Sequence, residues 1–156
     1  MSTSFNFSLA QDIPREALLG MLVEDAGFEP CGNPTPPRHL PLECAAGGVV
    51  AAIVFPTAAS LRFDLAAAGI ASKVSIHFGL DPSIRTGPAN VFRGVQAVLQ
   101  QTAGDAFLDY NADFVVLHRT DGAIALYDDI GLFSDWLPSV MESFHLPHVL
   151  HGSFQR

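Results

Sequence analysis

"FLDYNADFVVLHRTDGAIALYDD", residues 107–129, sets Asp109, Asp113, Asp121, Asp128 and Asp129 around runs of Phe, Val, Leu and Tyr. Asp121-Gly122 between two apolar runs is a signature of a two-residue type I′ hairpin turn, whose central positions both need positive φ. Such a turn pairs Thr120 with Ala123, His118 with Ala125, Leu117 with Leu126 and Val116 with Tyr127. Upstream, Tyr110-Asn111-Ala112-Asp113 supplies a second tight turn that pairs Asp109 with Phe114 and Leu108 with Val115. The expected result is a three-stranded antiparallel meander. Its period of two sends Leu108, Val115, Leu117, Ile124 and Leu126 to one face, and Phe107, Asp109, Phe114, Val116, His118, Tyr127 and Asp129 to the other. The first face is expected as core and the second is mixed.

Working outward, "TGPANVFRGVQAVLQQTAG", residues 86–104, places Val91, Phe92, Val95, Val98, Leu99 and Thr102 at helical spacing, with Pro88 in the first turn and Gly104 as the stop. "KVSIHFGL" alternates Val74, Ile76, Phe78 and Leu80 against Lys73, Ser75, His77 and Gly79, a strand with one wet face. "SFNFSLA" alternates in the same way through Phe5, Phe7 and Leu9. A helix is expected after it, capped by Asp12, with Pro14 in its first turn, a stripe of Leu18, Met21 and Leu22, and Gly27 at its end. Residues 29–43 hold five prolines and read as a loop. Residues 44–61 are 18 residues without a charge, the lower limit for a membrane span. Two glycines, Pro56 and many alanines weaken that reading, so a buried strand over residues 48–55 is expected instead. Leu132 to Phe144 reads as a short helix interrupted or ended near Pro138, followed by an extended close. This irregular alternation points to an α+β fold: a single domain over residues 1–156, mainly antiparallel, with a late meander and two to three helices.

With 49% hydrophobic and 15% charged residues the chain is globular and poor in surface charge. Its net charge of −8 is uneven. Between residues 105 and 142, Asp105, Asp109, Asp113, Asp121, Asp128, Asp129, Asp135 and Glu142 stand against Arg119 alone, a net −7. Such a field repels nucleic acid and anionic membranes and steers basic partners inward. The start of the chain lacks a basic segment followed by a long apolar one, and Cys31 and Cys44 form no close pair, so a cytoplasmic protein with reduced thiols is expected.

No cofactor or metal is expected. His145, His148 and His151 have a regular spacing, but Pro147 breaks the helical face that zinc ligation would need. No nucleophile elbow and no phosphate-binding loop occurs. An alternative is a small hydrolase or metal-dependent enzyme using Asp109, His118 and Asp129 on the mixed face of the meander. Aromatics ringed by acids, Tyr127 and Trp136 among them, also describe a protein-binding hot spot. The candidate binding residues are Asp109, Asp113, Tyr127, Asp128, Asp129, Asp135 and Trp136.

From residue 63 to 150 the chain resembles the SitI-type immunity proteins, which protect bacteria from cognate polymorphic toxins. The resemblance is carried by "LAAAGIASKVSIHFGLD", "VFRGVQAVLQQTAGDAFL", "YNADFVVLHRTDGAIALYDD" and "FSDWLPSVMESFHLPHVL". The sequence departs from the pattern at Ala112, where a glycine is expected, and at His148, where an aromatic is expected. The resemblance implies no catalysis, and a toxin domain, such as a nuclease, as partner for the acidic surface.

Overall fold

The computed structural model describes residues 3–128, 131, 138–152 and 154. Among the described residues, nine strands form one sheet in the order β2-β3-β4-β5-β1-β6-β7-β8-β9, antiparallel at every junction except β8 with β9. They are β1 (Thr3–Leu9), β2 (Glu29–Cys31), β3 (Leu42–Ala46), β4 (Val49–Val54), β5 (Val74–Leu80), β6 (Ala106–Tyr110), β7 (Phe114–Thr120), β8 (Ala123–Tyr127) and β9 (Val149–His151). The helices are α1 (Arg15–Ala26), α2 (Ala58–Ala68), α3 (Gly87–Gln101) and the single short turn-and-a-half α4 (Pro138–Ser143). The fold is α+β, with three full helices on a mainly antiparallel open sheet.

The first strand occupies the middle of the sheet because its alternation suits two-sided burial. Phe5, Phe7 and Leu9 enter the main core, where α1 and α3 pack on the sheet, and Phe5 meets Phe92 of α3 edge to face with ring centroids 5.6 Å apart. α1 contributes Leu18, Leu22 and Ala26, and α3 contributes Val91, Phe92, Val95, Val98 and Leu99. α2 lies on the opposite face, where Ala68, Ile70 and Phe107 form a small second cluster.

Several local expectations change. Asp12 does not cap α1: the helix starts at Arg15, and Pro14, in an extended conformation, occupies the capping position beyond reach of residue 12. Arg15 is buried and its guanidinium donates to the carbonyls of Leu40, Ile53, Pro36 and Pro37, which ties the proline-rich loop to the sheet. Gly27 does end α1, at φ +75° with its N–H on the Leu22 carbonyl. Gly104 is not the stop of α3, which ends at Gln101. A Cβ at Gly104 would lie 2.8 Å from Cβ of Gln11 and 3.1 Å from the Ala10 carbonyl oxygen, so glycine is needed there for close approach to β1. Pro138 begins α4, since a proline lacks only an N–H that the first turn leaves unpaired, and residues 132–137 of the expected helix lie outside the described residues. The uncharged window at 44–61 is the β3-β4 hairpin and the first turn of α2. No helix among the described residues is long and apolar enough to cross a membrane.

The meander forms as three strands, with one half in the expected register. Asp121 and Gly122 take φ of +51° and +82°, and Leu117↔Leu126, His118↔Ala125 and Thr120↔Ala123 pair. The first turn is one residue longer than expected: Tyr110 pairs with Phe114 and Asp109 with Val115, around a three-residue loop in which Asn111 and Ala112 both adopt left-handed φ, +53° and +61°. A bulge then shifts the register by one more residue, to Leu108↔Leu117, which leaves Val116 as the extra residue. Its consequence is a swap of faces. Phe114 and Val116 turn to the main core, and Val115 joins the cluster beneath α2.

Candidate functional site

Because Phe5 and Phe7 point to α1 and α3, the alternation of β1 sends Asn6 and Ser8 to the other face. The register then places His77 of β5 and Asp109 of β6 on either side of Asn6, and Ser75 beside Ser8. The amide nitrogen of Asn6 donates to Asp109 Oδ1 at 3.1 Å, which leaves the amide oxygen to accept from His77 Nδ1 at 2.6 Å. The Ala112 N–H also reaches Asp109 Oδ1, at 3.0 Å, so the left-handed turn at Asn111-Ala112 holds this carboxylate in place.

α2 lies alongside this row. Thr57 caps it through a reciprocal box with Ser60, and Gly69 ends it at φ +69°. Its Asp64 is 4% exposed and accepts from Ser72 Oγ at 2.5 Å, with Ser8 as a second hydroxyl partner. Between α2 and the sheet runs a groove of about 480 Å³. Asn6, Ser8, His77 and Asp109 line it from the sheet, Asp64 and Phe63, the latter 41% exposed, from α2, and Phe55 and Pro56 from the segment between β4 and α2. Past Asp109 and Ala112 it meets a second hollow of about 280 Å³ bordered by Asp113, Val115 and Phe154.

Burial pushes the Asp109 carboxyl up to about 6, with Asp64 and Asp113 adding repulsion and the Asn6 and Ala112 hydrogen bonds opposing it. Burial likewise raises Asp64, against its hydroxyl partners. A folded-state value above the ordinary one stabilises the protein below pH 4, and this stability is lost as pH rises through 6. From 3.8 to about 6 the loss amounts to about 3 kcal/mol at most. Asp109→Asn, which keeps an acceptor for Asn6 and Ala112, is therefore expected to stabilise the protein at pH 7.5 and not at pH 4. Urea midpoints of both proteins at the two pH values check this; a constant difference across pH would show that Asp109 does not titrate in that range.

The residues singled out from sequence are scattered by the fold. Asp109 is 3% exposed and belongs to the groove. Asp113 is exposed at the turn, Tyr127 is half-buried against His151 and Phe154 at the far edge, and the Asp128 N–H donates to the His151 carbonyl. Asp129, Asp135 and Trp136 lie outside the described residues. Of the alternative enzyme grouping, His118 and Asp109 keep separate partners, His118 the Ala68 carbonyl and the Thr120 hydroxyl, Asp109 the Asn6 amide and the Ala112 N–H, and the third member, Asp129, lies outside the described residues. His145, His148 and His151 do not converge with other ligands, and no group of three His, Cys, Asp or Glu side chains among the described residues is placed to hold a metal ion.

Sequence patterning misses the groove because the uncharged window reaches only the first turn of α2 and the rest of that helix carries no continuous apolar stripe. Thr57-x-x-Ser60, with Gly69 closing an Ala- and Leu-rich run, was the signal available. His77 and Asn6 read only as the wet sides of strands. Nothing local marks them as neighbours of Asp109, since 71 and 103 residues separate Asn6 from its two partners.

A family model described as SitI3-like matches residues 3–136. The chain belongs to the SitI3-like family. This agrees with the SitI-type resemblance and moves its bounds: the match begins at β1 instead of residue 63 and ends before α4. It therefore takes in all of the groove's strands and α2. The family name points to an immunity protein, and so to a toxin as partner. No curated protein and no solved structure matches the chain.

Proposed function

We propose that this SitI3-like protein binds one cognate bacterial toxin in the cytoplasm and blocks it, without catalysing a reaction. Membership of the SitI3-like family over residues 3–136 carries this reading. The excess of carboxylates between residues 105 and 142 supports a partner with a basic surface, such as a nuclease. Asp113 and Asp128, with Asp129 and Asp135, are proposed as the charges that steer the toxin, and Tyr127 and Trp136 as the aromatic anchors beside them. Asp109, recessed in the groove, acts from a different depth.

The test is co-expression with the toxin encoded beside this protein. Wild-type protein is expected to protect the cell. A folded Asp128→Lys, Asp129→Lys, Asp135→Lys variant is expected to lose protection and to associate more slowly, with a weaker dependence on salt. Full protection by that variant with unchanged salt dependence would move the interface elsewhere. Failure of the wild-type protein to protect against any neighbouring toxin would remove the immunity reading.

A further inference from the structure

Asp109 and Asp64 pose a problem that the rest of the fold does not solve. Both are nearly inaccessible carboxylates lining one groove, and they repel one another. What surrounds Asp109 is an amide, a backbone N–H and two further carboxylates, and no described arginine or lysine contributes to its ionisation. The groove is nevertheless far larger than a bare cation requires, at about 480 Å³, and the described side chains offer no metal-binding set. One lining side chain is an exposed aromatic ring, Phe63. At Phe55, another lining ring, the chain already shows what such a ring attracts: the Arg38 guanidinium sits 3.8 Å over its centre, and Arg15 sits 4.8 Å from it.

We infer that the groove between α2 and the sheet seats one guanidinium, the side chain of an arginine presented by a protein partner, with Asp109 as the anion and Phe63 as the stacking ring. Arginine is favoured over lysine because its planar, weakly hydrated head can lie against a ring and still donate to a carboxylate, whereas an ammonium keeps more of its water. His77 serves as a positioning residue: its Nδ1–H holds the Asn6 amide so that the amide nitrogen faces Asp109. The identity of the partner as a toxin rests on the immunity reading; the guanidinium seat does not.

The groups facing Asp109 are Asp64 from α2, Asp113 from the β6-β7 turn, and His77 and His39 along the groove. A bound cation favours the ionised form of Asp109, so occupation releases a proton near pH 6 and affinity falls as pH drops through that value.

The experiment titrates the isotope-labelled full chain with N-acetyl-arginine amide and, in parallel, with the citrulline and lysine counterparts, following backbone amide shifts. The arginine probe is expected to give saturable shifts at Phe63, Ala112 and Asp113. Citrulline amide and the Asp109→Asn variant should each bind about tenfold more weakly, the loss of one charge-assisted hydrogen bond. Phe63→Ala, at an exposed position, should weaken binding without altering the urea midpoint. Binding should be weaker at pH 5 than at pH 7.5 in wild type, and His77→Gln should retain most of that dependence while Asp109→Asn abolishes it. No saturable shift at those residues, equal affinity for citrulline or lysine, or an unaffected Asp109→Asn variant would each overturn the inference. The probe needs no toxin, so failure here leaves the family-based reading standing, and failure to protect cells leaves a measured guanidinium site standing.

Discussion

Arg119→Met is expected to lower the unfolding free energy by about 3–5 kcal/mol, enough to unfold a marginal domain. Arg119 is 3% exposed, and all three of its nitrogens are used. Nε donates to the Gly104 carbonyl at 2.9 Å, Nη1 to the Leu99 and Thr102 carbonyls at 2.8 and 3.0 Å, and Nη2 to the Thr102 hydroxyl at 2.9 Å. The Leu99 and Thr102 carbonyls are groups that the end of α3 leaves without helical partners, and a cation there also opposes the negative end of the helix dipole. Burial pulls the guanidinium pKa down and nearby Asp105 pulls it up, so the charge itself is costly to bury. The cost is offset only while the carbonyls are present to receive it. Methionine matches the stem but donates nothing, and buried carbonyls left without a donor cost ~1–3 kcal/mol each. Arg119→Lys should recover part of the loss, because one ammonium cannot span three carbonyls as a planar fork does. Urea unfolding followed by far-UV circular dichroism measures all three proteins. A methionine variant within 1 kcal/mol of wild type, by roughly the size of an ordinary hydrogen bond, would show that α3 ends without help from Arg119.

The second large effect is expected from Leu117→Asp. Leu117 has no exposed surface, pairs with Leu126 on one side and Leu108 on the other, and follows the bulge in β7. A carboxylate at this point has no donor to meet and no route to water, so the variant should be unfolded or recovered as aggregate. Asp121→Asn, at the exposed tip of the same hairpin, should be nearly silent: asparagine tolerates the left-handed φ of +51°, and the Asp121 N–H that reaches Asp105 is backbone. Circular dichroism and sedimentation of the two variants provide the comparison. Equal behaviour would mean that β7 does not present Leu117 to the core.

These two residues differ in how far the sequence announces them. Leu117 is placed by the Asp121-Gly122 turn, which pairs it with Leu126, whereas Val115, two residues before it, is carried to the other face by the bulge. Arg119 reads in sequence only as the lone positive charge in an acidic stretch. Its role depends on where α3 ends, 18 residues earlier at Gln101, and no local pattern links the two.

The sequence by itself determined the elements whose periodicity is strong: β1, β5, α3 and the β7-β8 hairpin, and with them the α+β class. It could do so because a period of two or of 3.6 records which side of an element is buried, and a turn residue records a φ that only a few side chains accept. It also carried the family, since ordered local patterns suffice for that. Tertiary structure alone decided the rest. Val115 and Phe114 exchanged faces because a bulge in β7, set by pairing with β6, inserts one residue into the count. α2 lacks a continuous apolar stripe, because it covers the sheet only in part and leaves Phe63 and Leu65 exposed, so periodicity was silent about it. Above all, the row His77-Asn6-Asp109 joins three strands through lateral pairing. Each of those residues is, within its own strand, an ordinary polar position. Only the burial of Asp109 beside α2 and Asp64 raises its pKa and gives the groove its charge, and burial is a property of the assembled sheet and helix that no stretch of chain contains.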